Sequence, residues 1–189
     1  MLQLNFTAFP NLTSERLCFR RLIDSDVEQV LAIRGNKENM KYIPRPLLSS
    51  IEEGLAYIKT IDDNILANEA INWAVTEKNS DLCIGIMGFY RTQAAHYRTE
   101  IGYMLLPEFH GKGFATEAVK TLLQYAFETL NFHSIEAVID ARHEASERVL
   151  LKNGFEREAY FKENFFYNNE FTDTKIFGLL RKNFKTENK

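Results

Sequence analysis

The segment from Thr99 to Leu130 constrains the fold more than any other part of this sequence. It opens with TEIGYMLL, an apolar run of strand length that Pro107 ends. From Lys112 the apolar residues recur every three or four positions, which is the period of an amphipathic helix. A strand-like segment, Ser134–Asp140, follows, and a helical crossover of this length predicts at least one parallel strand pair. The helical stripe consists of Ala115, Ala118, Val119, Leu122, Ala126 and Leu130.

Strand and helix patterns also fill the rest of the chain. Alternating or apolar runs predict strands over Ser14–Ile23, Ile71–Glu77, Leu82–Arg91, Phe155–Phe161 and Phe171–Leu180. Helical spacing predicts helices over Asp26–Arg34, from Ser49 or Ser50 to about Ala67, and over Glu144–Lys152. KNSD and YNNE read as hairpin turns. The order β-α-α-β-β-β-α-β-α-β-β predicts an α/β (α+β) protein, and 189 residues fit one domain, 1–189.

Composition excludes several classes of protein. Hydrophobic residues make up 45% of the chain, which is enough for a sizeable core and excludes a wholly disordered or collagen-like chain. The 23 Lys and Arg residues nearly balance 26 Asp and Glu residues, which argues against a nucleic-acid partner. No apolar run reaches membrane-spanning length, so we expect a soluble, cytoplasmic protein with no membrane partner. The two cysteines, Cys18 and Cys83, are interpreted as core thiols. Neither they nor the four scattered histidines have metal-ligand spacing; the histidines are His96, His110, His133 and His143.

The loop His110–Thr116, HGKGFAT, joins the TEIGYMLL strand to the long helix. Its two glycines allow tight turns, and the first helical turn leaves N–H donors at the positive end of the helix dipole. Such a loop can bind a phosphate or pyrophosphate, with Lys112 adding charge. The alternative is an ordinary connection with permissive glycines. Because the spacing matches neither GxGxxG nor GxxxxGK[ST], a dinucleotide fold and a nucleoside triphosphatase are disfavoured.

The order of these segments resembles the GNAT N-acetyltransferases. GKGFATEA opens the central helix and HEASERVLLKNGF opens the next, as in that superfamily. SERLCFRRL, the EIGYML strand and the ending FTDTKIFGLLRKNF resemble its ribosomal-protein alanine acetyltransferase branch, the RimJ/RimL-like enzymes. The resemblance covers about residues 13–184. It implies a single GNAT domain, with a mixed, twisted sheet and helices on both faces.

The resemblance implies an acetyl-CoA site without a metal. The backbone of residues 104–106 would pair with the pantetheine arm, and the amides of residues 111–116 would hold the pyrophosphate. His110 stands where the family has Gln or Arg, which is a mild departure because such a loop binds through main-chain N–H groups. The implied cofactor-binding residues are Met104, Leu105, Leu106, His110, Gly111, Lys112, Gly113, Phe114, Ala115, Thr116, His143 and Ser146.

The resemblance also implies catalytic roles. His143 stands where the family usually has an Asn that reaches the pantetheine, and imidazole can still make one hydrogen bond. Ser146, one helical turn later, corresponds to a serine proposed to protonate the leaving thiolate. Leu150 replaces the Tyr that another branch uses as its acid. For Ser146 the alternative is a polar residue near a helix cap.

An amine must lose its proton before it can attack a thioester. Glu100, at the start of the EIGYML strand, is the first candidate for the general base, and Glu158 is the second. With a reference pKa of about 4.3, either carboxylate needs a water relay or partial burial to act near neutral pH. The alternative for both residues is a solvent-facing charge on a strand.

The acceptor is the least constrained part of the interpretation. We expect the N-terminal amine of a protein, with a small amine such as a polyamine, amino acid or aminoglycoside as one alternative and an inactive CoA-binding module as another. The aromatic run between residues 160 and 171 either lines the acceptor cleft or forms the core or a homodimer face. Four nearby carboxylates would favour a cationic acceptor: Glu158, Glu163, Glu170 and Asp173.

Overall fold

A computed structural model describes residues 2–185. Its eight-stranded sheet has the order β1-β2-β3-β4-β5-β6-β8-β7. All pairs are antiparallel except β5 with β6. The strands are β1 (Leu12–Thr13), β2 (Leu17–Arg20), β3 (Ile71–Glu77), β4 (Gly85–Gln93), β5 (Arg98–Leu105), β6 (Ser134–Asp140), β7 (Glu156–Tyr167) and β8 (Glu170–Leu180).

Four α-helices flank this sheet: α1 (Val27–Arg34), α2 (Ile51–Leu66), α3 (Phe114–Gln124) and α4 (Glu144–Lys152). Tyr90 of β4 lines a cavity together with Arg34 of α1 and Tyr57 of α2. The hydroxyl of Tyr103 of β5 instead forms a hydrogen bond with Ser146 of α4. Because Tyr90 pairs with Glu100, three positions before Tyr103, these two tyrosines project from opposite faces. The α1–α2 pair and α4 therefore lie on opposite faces of the sheet, as the GNAT resemblance implies.

The only parallel pair in the described sheet is short. Strands β5 and β6 pair at Arg98–Ser134, Thr99–Ile135 and Glu100–Glu136. Beyond Glu100, β5 stays paired with β4 as far as Leu105, and β6 stays paired with β8 as far as Asp140. The two strands therefore diverge and open a gap in the sheet.

The core is built around an aromatic cluster centred on Trp73 of β3. This ring is fully buried and contacts the rings of Phe9, Phe89 and Tyr125, while its N–H donates to Pro10 O at 2.8 Å. The burial of these large rings on folding is the main stabilising contribution here. The tyrosine belongs to a π-helical turn, Tyr125–Thr129, which extends α3.

The two thiols differ from each other. Cys83 is buried, and burial raises the pKa of its thiol to about 12, as expected for a core thiol. Cys18 is half-buried, so the interpretation as a core residue fits it less well.

Several strand limits differ from the sequence prediction. The predicted strand Ser14–Ile23 is shorter, and the segment predicted to begin at Leu82 enters the sheet only at Gly85. The strand predicted to end at Phe161 continues to Tyr167, because a bulge after Phe161 accommodates the polar residues that interrupt the alternation. The YNNE turn is confirmed, with Asn168 and Asn169 at φ 49° and 61°.

Candidate functional site

The gap between β5 and β6 holds a cavity of about 830 Å³, here called the gap cavity. It reaches from the α1–α2 face of the sheet to the start of α4. The strands leave this space because both remain paired to their other neighbours. Its lining includes Glu100, Tyr103, Met104, Val138, His143 and Ser146.

The glycine loop lies between the end of β5 and α3. Gly111 and Gly113 have φ values of 72° and 81°, a region that favours glycine. The first backbone bond of α3 runs from Glu117 N–H to Gly113 O at 3.1 Å. The amides of Phe114, Ala115 and Thr116 therefore have no acceptor within the helix. The loop and the first turn of α3 thus present the unpaired N–H donors that an anion site needs.

Arg16 fixes this loop from outside. Its Nε donates to Glu117 Oε2 at 2.6 Å and its Nη1 to Lys112 O at 3.1 Å. Its guanidinium lies 4.4 Å from the centre of the Phe114 ring. The sequence analysis missed this residue, because 101 positions separate it from its carboxylate partner and no local pattern links the two.

The resemblance implies that the backbone groups of residues 104–106 are available in the gap. The structure shows this for only part of that set. Leu106 N–H donates to Ile84 O at 2.8 Å, so it is already bonded within the sheet. Since backbone groups alternate between neighbouring strands, Met104 also points toward β4, whereas Tyr103 and Leu105 point toward the gap. Leu105 O accepts from Asn39 Nδ2 at 3.1 Å.

His110 makes a second contact with the same strand end. Its Nε2 lies 3.1 Å from Leu105 O. Of the implied residues 104–106, only Leu105 therefore turns its backbone groups toward the gap, and Tyr103 does so as well, because register decides which amides face it. His110 therefore joins the glycine loop to the end of β5.

Two hydroxyl groups meet beside the gap. Ser146 is buried in the first turn of α4, and its Oγ lies 2.7 Å from the Tyr103 hydroxyl. The one proton of the Tyr103 hydroxyl has two acceptors within reach, Ser146 Oγ and, at 3.2 Å, Ser146 O. Burial raises the pKa of Tyr103, which therefore stays protonated. The sequence analysis passed over Tyr103, although it lies inside the quoted EIGYML strand; Leu150 is buried in the core.

His143 precedes α4 and lines the gap cavity. Its ring stacks on Tyr42 with centroids 4.7 Å apart. Its Nδ1 is buried without a hydrogen-bond partner among residues 2–185. Burial lowers the pKa of His143, so the imidazole is neutral near pH 7. A neutral ring with an unsatisfied nitrogen fits the amide-bearing arm that the resemblance implies.

Glu100 lies where β5 and β6 part. Its carboxylate accepts from Arg91 Nη1 at 2.7 Å, and its side chain is 16% exposed. Burial raises the pKa of Glu100; Arg91 opposes this effect and Glu136 adds to it. A carboxylate with a raised pKa on the cavity wall suits a general base.

Glu158 does not join this group. Its carboxylate covers Gly178 of β8, and it lines neither of the two cavities described here. Two strands, β6 and β8, separate it from β5. The structure therefore brings together Glu100, His143 and Ser146 but leaves Glu158 outside.

A second cavity, here called the hairpin cavity, has a volume of about 720 Å³. It lies between the loop joining α1 to α2 and the β7–β8 hairpin, and it shares Glu100, Arg91 and Val138 with the gap cavity. Three residues of the aromatic run line this cavity: Phe161, Phe165 and Tyr167. The other three aromatic residues of the run do not line it: Tyr160, Phe166 and Phe171.

The four carboxylates expected beside the acceptor do not gather at the hairpin cavity. Of the four carboxylates expected there, only Glu170 lines the hairpin cavity, and it accepts from Arg142 at 2.8 Å. Asp173 instead accepts from the hydroxyl of Tyr160 and from the amide of Glu163. The alternation of side chains along each strand and the bulge in β7 decide toward which face each carboxylate points. Composition does not reveal these orientations.

Comparison with known proteins decides the family. A model described as the acetyltransferase (GNAT) domain matches residues 16–156. The chain belongs to the GNAT acetyltransferases. An uncharacterized N-acetyltransferase of Bacillus subtilis, YoaA, is 32% identical over 173 residues, which are 92% of this chain and 98% of that protein.

Two further GNAT proteins differ in acceptor. The spermidine N(1)-acetyltransferase of Vibrio cholerae is 27% identical over 169 residues, 89% of this chain and 95% of its own. The ribosomal-protein-S5-alanine acetyltransferase of Vibrio fischeri has the same fold, with a TM-score of 0.78 at 22% identity, covering 94% of this chain and 100% of its own.

The comparisons confirm the GNAT fold and an acetyl-CoA-dependent N-acetyltransferase. As a GNAT acetyltransferase, the chain uses acetyl-CoA as its cosubstrate. Within residues 2–185, no helix is long and apolar enough to cross a membrane. The same residues contain no cluster of three His, Cys, Asp or Glu side chains that could hold a metal ion.

Proposed function

We propose that this GNAT enzyme acetylates the N-terminal amine of a protein by direct attack within a ternary complex. One observation carries the proposal: the Tyr103–Ser146 hydroxyl pair and the Glu100 carboxylate line the same cavity. An acid for the leaving group and a base for the amine are thus available around one gap. Acetyl-CoA supplies the activated acetyl group.

The chain offers two sets of groups for the cosubstrate. The backbone amides from Gly111 to Thr116 would hold the pyrophosphate, since the loop and the first turn of α3 present them together. The backbone of Tyr103 and Leu105, together with His143, would hold the pantetheine arm. Lys112 adds positive charge beside the loop.

Ser146 is the proposed general acid. As the carbon–sulfur bond breaks, its electron pair stays on sulfur, and Ser146 supplies the proton. Tyr103 is a positioning residue: because it stays protonated, its hydroxyl can donate to Ser146 Oγ. The proton of Ser146 is then free to point into the gap cavity.

Glu100 is the proposed general base for the amine. Its raised pKa brings it closer to the pKa of an amine than an exposed carboxylate would be. Arg91 holds the carboxylate by one bond and has φ of 47°, in the bulge of β4. We do not assign a role in proton transfer to Glu158, because it lies outside both cavities.

The acceptor is proposed to enter through the hairpin cavity. Its size and its aromatic wall, which includes Phe161 and Phe165, suit the first residues of a peptide. The cavity meets the gap cavity at Glu100, so the amine could reach the base from this side. The likeness to a spermidine acetyltransferase supports a polyamine as the second candidate.

The test follows thiol release from acetyl-CoA with a panel of amines. We expect release with short peptides that have a free N-terminus, and none when the same peptides are N-terminally blocked. Thiol release with spermidine alone would assign the enzyme to small amines. Tight binding of CoA without turnover of any amine would contradict the proposed activity altogether.

A further inference from the structure

The hairpin cavity carries an excess of positive charge. Its charged lining consists of five basic and three acidic side chains: Lys37, Lys41, Arg45, Arg91 and Arg142, against Glu100, Asp140 and Glu170. This sign is the reverse of the one that the sequence favoured. It is also local, because the whole chain has a net charge of −3.

Each acidic side chain of this lining is already paired. Glu100 bonds to Arg91 at 2.7 Å, while Asp140 and Glu170 both bond to Arg142 at 2.8 Å. Arg91 offsets the charge of Glu100, whereas Arg142 offsets only one of the two carboxylates that it holds. One net negative charge is left among these paired groups, and the other three basic side chains of the lining outweigh it.

Three basic side chains of the lining form no direct ion pair, although the charge of Arg45 also acts on Glu100. Lys37, Lys41 and Arg45 all lie on the loop between α1 and α2, they are all exposed, and none forms an ion pair with another described residue. The Lys41 ammonium lies 5.5 Å from the centre of the Tyr42 ring, which in turn stacks on His143. This positive group is thereby held at the entrance to the catalytic gap.

We propose that the acceptor is an N-terminal segment with acidic side chains directly after the reactive amine. Its amine would approach Glu100, while its carboxylates meet Lys37, Lys41 and Arg45 along the same wall. This inference rests on the proposed function and names its substrate class. It also disfavours polyamines, whose second and third ammonium groups would face the same three cations.

The experiment compares kcat/KM for three peptides that differ only at positions two and three. They begin Ala-Glu-Glu, Ala-Gln-Gln and Ala-Lys-Lys, and spermidine is measured alongside. At low salt we expect the acidic peptide to exceed the neutral one by about tenfold, with the basic peptide and spermidine below both. Added salt should reduce this difference, since exposed charges are screened over about 8–10 Å.

Charge-swap variants localise the effect. Lys41→Glu should lower the ratio of acidic to basic peptide and raise kcat/KM for the Ala-Lys-Lys peptide. The double variant Lys37→Gln/Lys41→Gln should bring the acidic-to-neutral ratio close to one. Lys78→Gln is the matched control: this lysine is exposed in the loop between β3 and β4 and should leave all ratios unchanged.

The outcomes separate this inference from the proposed function. Peptide turnover with equal rates, or with a preference for Ala-Lys-Lys, would overturn the acidic acceptor while leaving N-terminal acetylation in place. A preference unchanged in the Lys37→Gln/Lys41→Gln variant would likewise overturn it. Turnover of spermidine with no peptide turnover would overturn both.

Discussion

The Tyr103 hydroxyl lies 2.7 Å from Ser146 Oγ, joining β5 to α4 across the mouth of the gap. The two residues are 43 positions apart, and each needs the other for its buried hydroxyl to be satisfied. Ser146 alone would be a plausible acid on a helix. The hydrogen bond to Tyr103 also fixes the position of its oxygen.

The hydroxyl pair leads to the first prediction. Ser146→Ala should lower kcat by about 10²-fold, because general acids contribute roughly 10²–10⁴-fold, with little change in acetyl-CoA affinity. Tyr103→Phe should lower kcat by about tenfold, since it removes only the orienting donor. Steady-state kinetics with saturating acetyl-CoA provides both numbers.

The double variant distinguishes positioning from an independent role. If Tyr103 acts through Ser146, adding Tyr103→Phe to Ser146→Ala should lower kcat no further. Additive losses would show instead that each hydroxyl acts on its own. Thermal unfolding of all three variants controls for damage to the fold.

Glu100 leads to a prediction about pH. Because burial raises its pKa, kcat/KM should show an acid-side limb set by Glu100, in addition to the limb set by the amine. Glu100→Gln should remove that limb and lower kcat about 10²-fold. A raised pKa means that the fold disfavours the ionised form, so this variant should not reduce the free energy of unfolding at pH 7.

Glu136→Gln is the matched control for this limb. Glu136 pairs with Glu100 across β5 and β6, and its charge helps to raise the pKa of Glu100. Neutralising it should move the limb to lower pH while kcat on the plateau is retained. A limb that stays in place in both variants would assign it to another group.

The loop glycines lead to a prediction about binding. Replacing Gly111 and Gly113 together by Ala strains a backbone held at positive φ and should weaken acetyl-CoA binding at least tenfold, about 1.4 kcal/mol, by calorimetry. Gly154→Ala is the control, since Gly154 has φ of 84° outside this loop. Its variant should lose stability but keep its affinity. Equal affinity losses in both would count against the loop as the pyrophosphate site.

His143 leads to the last prediction. Desolvation lowers its pKa, with His110 and Arg148 adding to the effect and Asp140 opposing it. Acetyl-CoA affinity should therefore be constant near neutral pH and fall as pH drops through this lowered pKa, because imidazolium has no acceptor nitrogen.

The Asn variant tests that role. His143→Asn keeps an acceptor that does not titrate, so calorimetry should show tight binding with no loss between neutral pH and about pH 5. Its unfolding should also change. The wild type loses the stability contributed by a neutral buried His as pH falls below the unfolded pKa of about 6.5, and the variant should not. Identical pH profiles for both proteins would exclude His143 as the acceptor.

Local sequence determined much of the architecture. The stripe over 115–130 predicts a helix because each residue in it faces the same core, and the structure has α3 and its π-helical turn there. The glycines of the HGKGFAT loop and the asparagines of the YNNE turn do adopt positive φ. These features depend on near neighbours in the chain, so a sequence pattern can identify them.

Tertiary structure alone decided which side chains share the site. Glu100 and Glu158 look alike in sequence, yet the register of β5 and β6 turns one toward the gap while the other covers Gly178. Tyr103 meets Ser146, and the basic loop between α1 and α2 reaches the hairpin cavity, only because distant strands pack together. A shift of one residue in a strand reverses the face that a side chain occupies. The sign of the charge around the acceptor therefore depends on register and packing, whereas composition sets only the total.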